Sequence, residues 1–86
     1  MAHEDFVRML RREVTRGAMR DRQALDLLIQ KAHFDARRPE IERRYRNRVV
    51  GFVGGRMKVA NTVQDVLRYG TRAKLVYFEA IGFDIL

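Results

Sequence analysis

The chain has 86 residues, 47% of them apolar, and a formal net charge of +7. That length supports a single domain, 1–86, with one modest core, and the apolar content excludes a compositionally disordered chain. Cysteine, tryptophan and serine are all absent, which excludes disulfides, thiolate metal sites and a serine nucleophile.

Residues 3–16 predict a helix, because Phe6, Leu10 and Val14 recur at i, i+4 and i+8, with Val7 and Met9 widening the stripe. Glu4 and Asp5 in its first turn and Arg11, Arg12 and Arg16 toward its end complement the helix dipole, and Gly17 is a natural stop. A second helix is expected from Asp21, whose carboxylate can cap free N–H groups, to about Ala36. Its expected buried stripe is Leu25, Leu28, Ile29 and Ala32. Pro39 forces a break and suits the first turn of a third helix, with Glu40 and Glu42 near its positive end. Ile41 and Tyr45 would face the core, with Val49 following.

Residues 48–60 admit two readings. Arg48-Val49-Val50-Gly51-Phe52-Val53, Gly54-Gly55 and Arg56-Met57-Lys58-Val59 have the form of a β-hairpin with a two-residue turn. Pairing across that turn sets Phe52 opposite Met57 and Val50 opposite Val59 on an apolar face, leaving Val53, Arg56, Gly51 and Lys58 on a partly basic one. The rival is a helix that continues the i+4 rhythm of Ile41, Tyr45, Val49, Val53 and Met57, but its three glycines would destabilise it by about 3 kcal/mol. The hairpin is preferred. Asn61-Thr62-Val63-Gln64 then resembles a capping box opening a helix to Tyr69, ended by Gly70. A last helix from Thr71 to Ile81 is expected, although Leu75-Val76-Tyr77-Phe78 is equally rich in strand formers. The fold class is therefore α+β and mostly helical: three N-terminal helices, a hairpin at about 48–59, and one or two C-terminal helices. An all-α chain is the alternative.

The charge is not evenly spread. Residues 36–60 carry Arg37, Arg38, Arg43, Arg44, Arg46, Arg48, Arg56 and Lys58 against only Glu40 and Glu42, a net of +6, whereas 1–35 carry +1 and 61–86 carry zero. Arginine outnumbers lysine fifteen to three, a ratio that GC-rich codon usage explains without reference to function. The clustering has no such explanation and points to a polyanionic partner, nucleic acid, with DNA ahead of RNA. The eight basic residues are the candidate contacts, their guanidinium forks suiting phosphate or a guanine edge, and Tyr45 is a base-stacking candidate. The competing expectation is a solvated helix face neutralised by Asp21, Asp26 and Asp35.

The order helix, helix, helix, hairpin resembles the winged helix-turn-helix family. That resemblance implies groove or phosphate roles for Arg43, Arg44, Arg46 and Arg48, and wing contacts for Arg56 and Lys58. Val50-Gly51-Phe52-Val53-Gly54-Gly55-Arg56-Met57-Lys58 is similar to the GxxG loop of KH domains, which joins two helices and clamps a single-stranded backbone. Its central positions are apolar here, and no strands precede it to complete a KH sheet.

No constellation supports catalysis. His33 and Asp35 stand at i and i+2, which do not face each other on a helix, and Gly54-Gly55-Arg56 lacks the ending of a phosphate-binding P-loop. Neither an enzyme, a cofactor nor a metal site is expected. The start Met1-Ala2-His3-Glu4-Asp5 lacks a secretory pattern, and the apolar runs are far too short to span a membrane, so a cytoplasmic location without membrane contact is expected. The apolar C-terminal run Leu75–Leu86 exceeds what a small core can bury, which predicts a homo-oligomer, a homodimer in the simplest case. It also supports an alternative function as a protein-binding structural or adaptor module, such as a phage or plasmid-encoded assembly component.

Overall fold

The computed structural model describes residues 2–83. In chain order the elements are α1 (His3–Thr15), α2 (Asp21–Ala36), α3 (Arg38–Arg44), β1 (Arg48–Val53), β2 (Arg56–Ala60), α4 (Val63–Leu67) and β3 (Tyr77–Ile81). The chain is α+β, with one antiparallel sheet in the order β2-β1-β3.

The hairpin forms in the register that its alternation dictates: Phe52 opposite Met57, Val50 opposite Val59, and Gly51 opposite Lys58. Gly54 and Gly55 make its turn with φ of 58° and 75°, a left-handed conformation that side chains resist. The helical reading of 48–60, and with it the all-α alternative, is thereby overturned. So is the KH resemblance, because Gly51 to Gly55 joins two strands and not two helices.

A second correction concerns the C-terminal run. The expected helix from Thr71 to Ile81 is instead a loop followed by β3, which pairs along the free edge of β1, with Phe52 opposite Tyr77 and Val50 opposite Glu79. The β-branched and aromatic content of Val76, Tyr77, Phe78 and Ile81 suits that edge better than a helix. The expected C-terminal helix exists only as α4, whose N-cap Thr62 hydroxyl accepts from the Asp65 N–H at 3.1 Å.

Strand alternation divides the sheet between two layers. Val50 and Phe52, with Tyr77 and Ile81 beside them, join Phe6 and Leu10 of α1, Phe34 of α2 and Ile41 of α3 in the main core. Phe34 meets both Phe52 and Tyr77 edge to face, at ring separations of 6.0 and 5.6 Å. The opposite face carries Val49, Gly51 and Val53 and is covered by α4 through its fully buried Val66. Tyr45 is half-buried at the edge of the main core, as its stripe position predicts.

The buried face of α2 is not the expected one. Leu28 is half-buried, but Leu25, Ile29 and Ala32 are exposed, and the inward face is Phe34 with Gln30, Lys31 and Leu27. Both buried polar residues are satisfied locally. Gln30 accepts from the Gly55 N–H at 2.8 Å and donates to Asp26, and Lys31 donates to Asp35 at 2.6 Å. The longer aromatic payload of Phe34 decides which side turns in.

Gly51 leaves no room for a side chain on the α4 side of β1. A Cβ there would lie 2.8 Å from Val76 Cγ1 and 2.9 Å from Val66 Cγ2. Gly51→Ala is therefore expected to destabilise the fold by about 1–3 kcal/mol through overpacking, measured as a lowered midpoint in urea unfolding.

Candidate nucleic-acid interface

Basic side chains of 36–60 have two different environments. Arg38 is half-buried and engaged within the fold. Its guanidinium donates to Glu79 at 3.0 and 2.6 Å and to Asp35 at 2.8 Å, and it lies 4.8 Å over the Phe34 ring. Glu42 adds a longer contact at 3.4 Å. On the far side of Glu79, the Tyr77 hydroxyl donates to the same carboxylate at 2.6 Å. Burial pulls the Glu79 carboxyl upward, but Arg38 and Tyr77 outweigh it and hold it below its ordinary value. Burial and Glu79 together push the Tyr77 phenol up. Hydrogen bonding to Glu79 raises the Arg38 guanidinium further above its ordinary value, against its own partial desolvation.

Glu40 holds two more arginines, Arg37 at 3.3 Å and Arg44 at 3.1 Å, each one helical turn away. The neutralising acids are thus Glu40, Glu79 and Asp35, with Glu42 at longer range. Of the three aspartates expected to do this, Asp35 reaches Arg38, Asp26 accepts from Gln30 and the Leu75 N–H, and Asp21 makes no ion pair among the described residues.

Arg43, Arg46, Arg48, Arg56 and Lys58 form no ion pair among the described residues. Arg43 ends the exposed side of α3, which stops at Arg44 because Tyr45 and then Asn47, at φ 63°, turn the chain into β1. Arg46 lies against Gly82, and Arg48 donates to the Asn61 side chain. Together they crowd the start of β1. Arg56 stands at the opposite end, beside the hairpin turn, and Arg48 and Val53 are separated by about 17 Å of extended strand. The patch that looks continuous along the chain is split between the two ends of β1.

Each end is completed differently. At the turn, Lys74 approaches Gly54, its Cδ 4.0 Å from where a Cβ would stand. Lys58, on the α4 side of the sheet, places its ammonium 4.9 Å over the ring of Tyr69, which is 50% exposed. Behind the turn, His33 stacks on Phe52 with ring centroids 6.1 Å apart. A basic and aromatic group of Arg56, Lys58, Tyr69 and Lys74 results. The charge count along the chain missed Lys74 and Tyr69, because 61–86 is neutral in sum and only the folded loop brings Lys74 to the hairpin.

Compared with the winged arrangement, α3 spans only seven residues and a third strand closes the sheet. Among the described residues no three His, Asp or Glu side chains converge as metal ligands, and no helix is long and apolar enough to cross a membrane. Comparisons with protein-family models, with curated proteins and with solved structures find no match to this chain.

The Glu79 pairing makes stability pH-dependent in a defined sense. A carboxyl whose folded pKa lies below its unfolded value of 4.5 contributes stability that is full above that value and lost as pH falls through the lower one. Glu79→Gln is expected to destabilise the fold at pH 7 by about 1–3 kcal/mol and to flatten the loss of stability below pH 4.5. Thermal melts of both proteins between pH 3 and 7 check this.

Proposed function

We propose that this protein binds nucleic acid through phosphate contacts from the two basic ends of β1. The observation that carries the reading is that Arg43, Arg46, Arg48, Arg56, Lys58 and Lys74 make no ion pair among the described residues, whereas Arg37, Arg38 and Arg44 are held by internal acids. Unneutralised cations at the surface supply the sequence-independent part of nucleic-acid affinity. Arg37 and Arg44 are exposed enough to exchange Glu40 for phosphate, while Arg38 serves the fold. Tyr69 supports a stacking role better than half-buried Tyr45, because its ring is exposed and lies under the Lys58 ammonium.

Binding of labelled duplex DNA, single-stranded DNA and RNA, followed by anisotropy, is expected to weaken with salt by about 0.9 log units per log unit for each phosphate neutralised on duplex DNA. The doubly reversed variants Arg43→Glu/Arg46→Glu and Arg56→Glu/Lys74→Glu are each expected to weaken it at least about tenfold. Unchanged circular dichroism confirms that the fold is kept. An interaction indifferent to salt, or none with any of the three, overturns the reading.

A second reading, a protein-binding structural or adaptor module, is supported by the exposure of Phe83 just beyond β3. The Tyr77–Ile81 part of the run assigned to that interface is instead committed to the sheet, and 84–86 lie outside the described residues. Deleting 83–86 is expected to abolish association with a partner while leaving nucleic-acid binding intact, if that reading holds.

A further inference from the structure

Three side chains on one face of α2 hold the loop before β3 and the hairpin turn in line. The Gln23 amide donates to the Arg72 carbonyl at 3.2 Å, and the Asp26 carboxylate accepts from the Leu75 N–H at 3.0 Å. The Gln30 amide oxygen accepts from the Gly55 N–H at 2.8 Å. Positions 23, 26 and 30 are three and four apart, so they form one row along the helix, about 10 Å long. The row sets cations from two separate segments beside one another in the order Arg72, Lys74, Arg56.

At the Gln23 end the row opens into a cleft of about 760 Å³, lined by Arg20, Asp21, Arg22 and Gln23 at the start of α2 and by Arg72 and Ala73 of the loop. Arg20, Arg22 and Arg72 are exposed, and none makes an ion pair among the described residues. They belong to segments that carry a net of only +1 (1–35) and zero (61–86), so the charge count along the chain conceals them. Lys74 joins the cleft to the hairpin turn, since it follows Arg72 by two residues and its side chain reaches Gly54. Five cations thus stand along the row against two carboxylates, Asp21 and Asp26, and Asp26 is already engaged by Gln30 and the Leu75 N–H.

We infer that this cleft is a further phosphate-binding site continuous with the cations of the hairpin turn, so that a nucleic-acid backbone held at the turn runs along α2 to Arg20, Arg22 and Arg72. The inference rests on the proposed function and gives the bound strand a path. Arginine suits the role, because a guanidinium fork bonds two oxygens of one phosphate, and here forks come from both the helix and the loop. The contacts are to the backbone, so they position the strand without reading its sequence.

Anisotropy with duplex DNA, single-stranded DNA and RNA, over a range of salt and of oligonucleotide length, tests the path. Arg22→Gln/Arg72→Gln is expected to weaken binding at least about tenfold and to reduce the salt slope on duplex DNA by about 0.9 for each cation removed. It is also expected to shorten the oligonucleotide length at which affinity levels off, because one end of the path is lost. Arg8→Gln/Arg12→Gln removes the same charge from exposed positions of α1 and is expected to leave all three quantities at the parent's values. Circular dichroism of Arg22→Gln/Arg72→Gln is expected to match the parent, since both side chains are exposed and Gln23 holds the Arg72 carbonyl, not its side chain. The inference alone is overturned if Arg56→Glu/Lys74→Glu loses binding while Arg22→Gln/Arg72→Gln keeps the parent's affinity, salt slope and length dependence. A loss in the α1 variant as large as in the cleft variant overturns it equally. A parent chain that binds none of the three nucleic acids overturns the proposed function, and this path with it.

Discussion

Strand β1 is hydrogen-bonded along both edges and covered on both faces, and the remaining elements are arranged around that enclosure. A strand in this position can carry no solvated side chain between its ends, and Val49-Val50-Gly51-Phe52-Val53 meets the condition with a continuous apolar run. Phe52 and Val50 give α1, α2 and α3 a surface to pack on. Gly51 lets Val66 and Val76 approach the other side to a distance that no other residue would permit. Arg48 and Arg56 mark where the enclosure stops, and Lys58, opposite Gly51, stands on the neighbouring edge strand, so no cation lies within β1 itself between its ends.

Much of this was legible in the order of residues, and the exceptions are instructive. α1, both ends of α2 and the hairpin register follow from strong local signals: a clean apolar stripe, Pro39, and a Gly-Gly turn between alternating strands. β3 was obscured because Leu75-Val76-Tyr77-Phe78 satisfies strand and helix patterns alike, and only pairing with the distant β1 decides between them. The inward face of α2 was obscured for a different reason. That helix has an apolar stripe on each side, and local periodicity does not say which one meets the sheet.

The candidate site was legible in part. Charge clustering located Arg43, Arg46, Arg48, Arg56 and Lys58, but it counted Arg38 among them, and Arg38 is turned inward by Glu79, a residue 41 positions away. Lys74 shows the converse, a cation from a neutral segment carried to the hairpin turn by the loop before β3. Net charge by segment measures composition, while the field at a surface depends on which acids the fold brings within reach.

The Arg38–Glu79 pair also bears on the order in which the chain assembles. The hairpin closes across two residues, whereas β3 must return to β1 over a span of 25 residues between Phe52 and Tyr77. Chain-closure entropy makes the hairpin the easier pairing to form and the return of the third strand the harder one. Until β3 docks, Arg38 lies against Phe34 without Glu79, and the edge of β1 is unpaired. Arrival of the last strand closes that edge and adds the Glu79 carboxylate to Asp35 and Glu42 around Arg38 in one step, which couples completion of the sheet to completion of the helical layer.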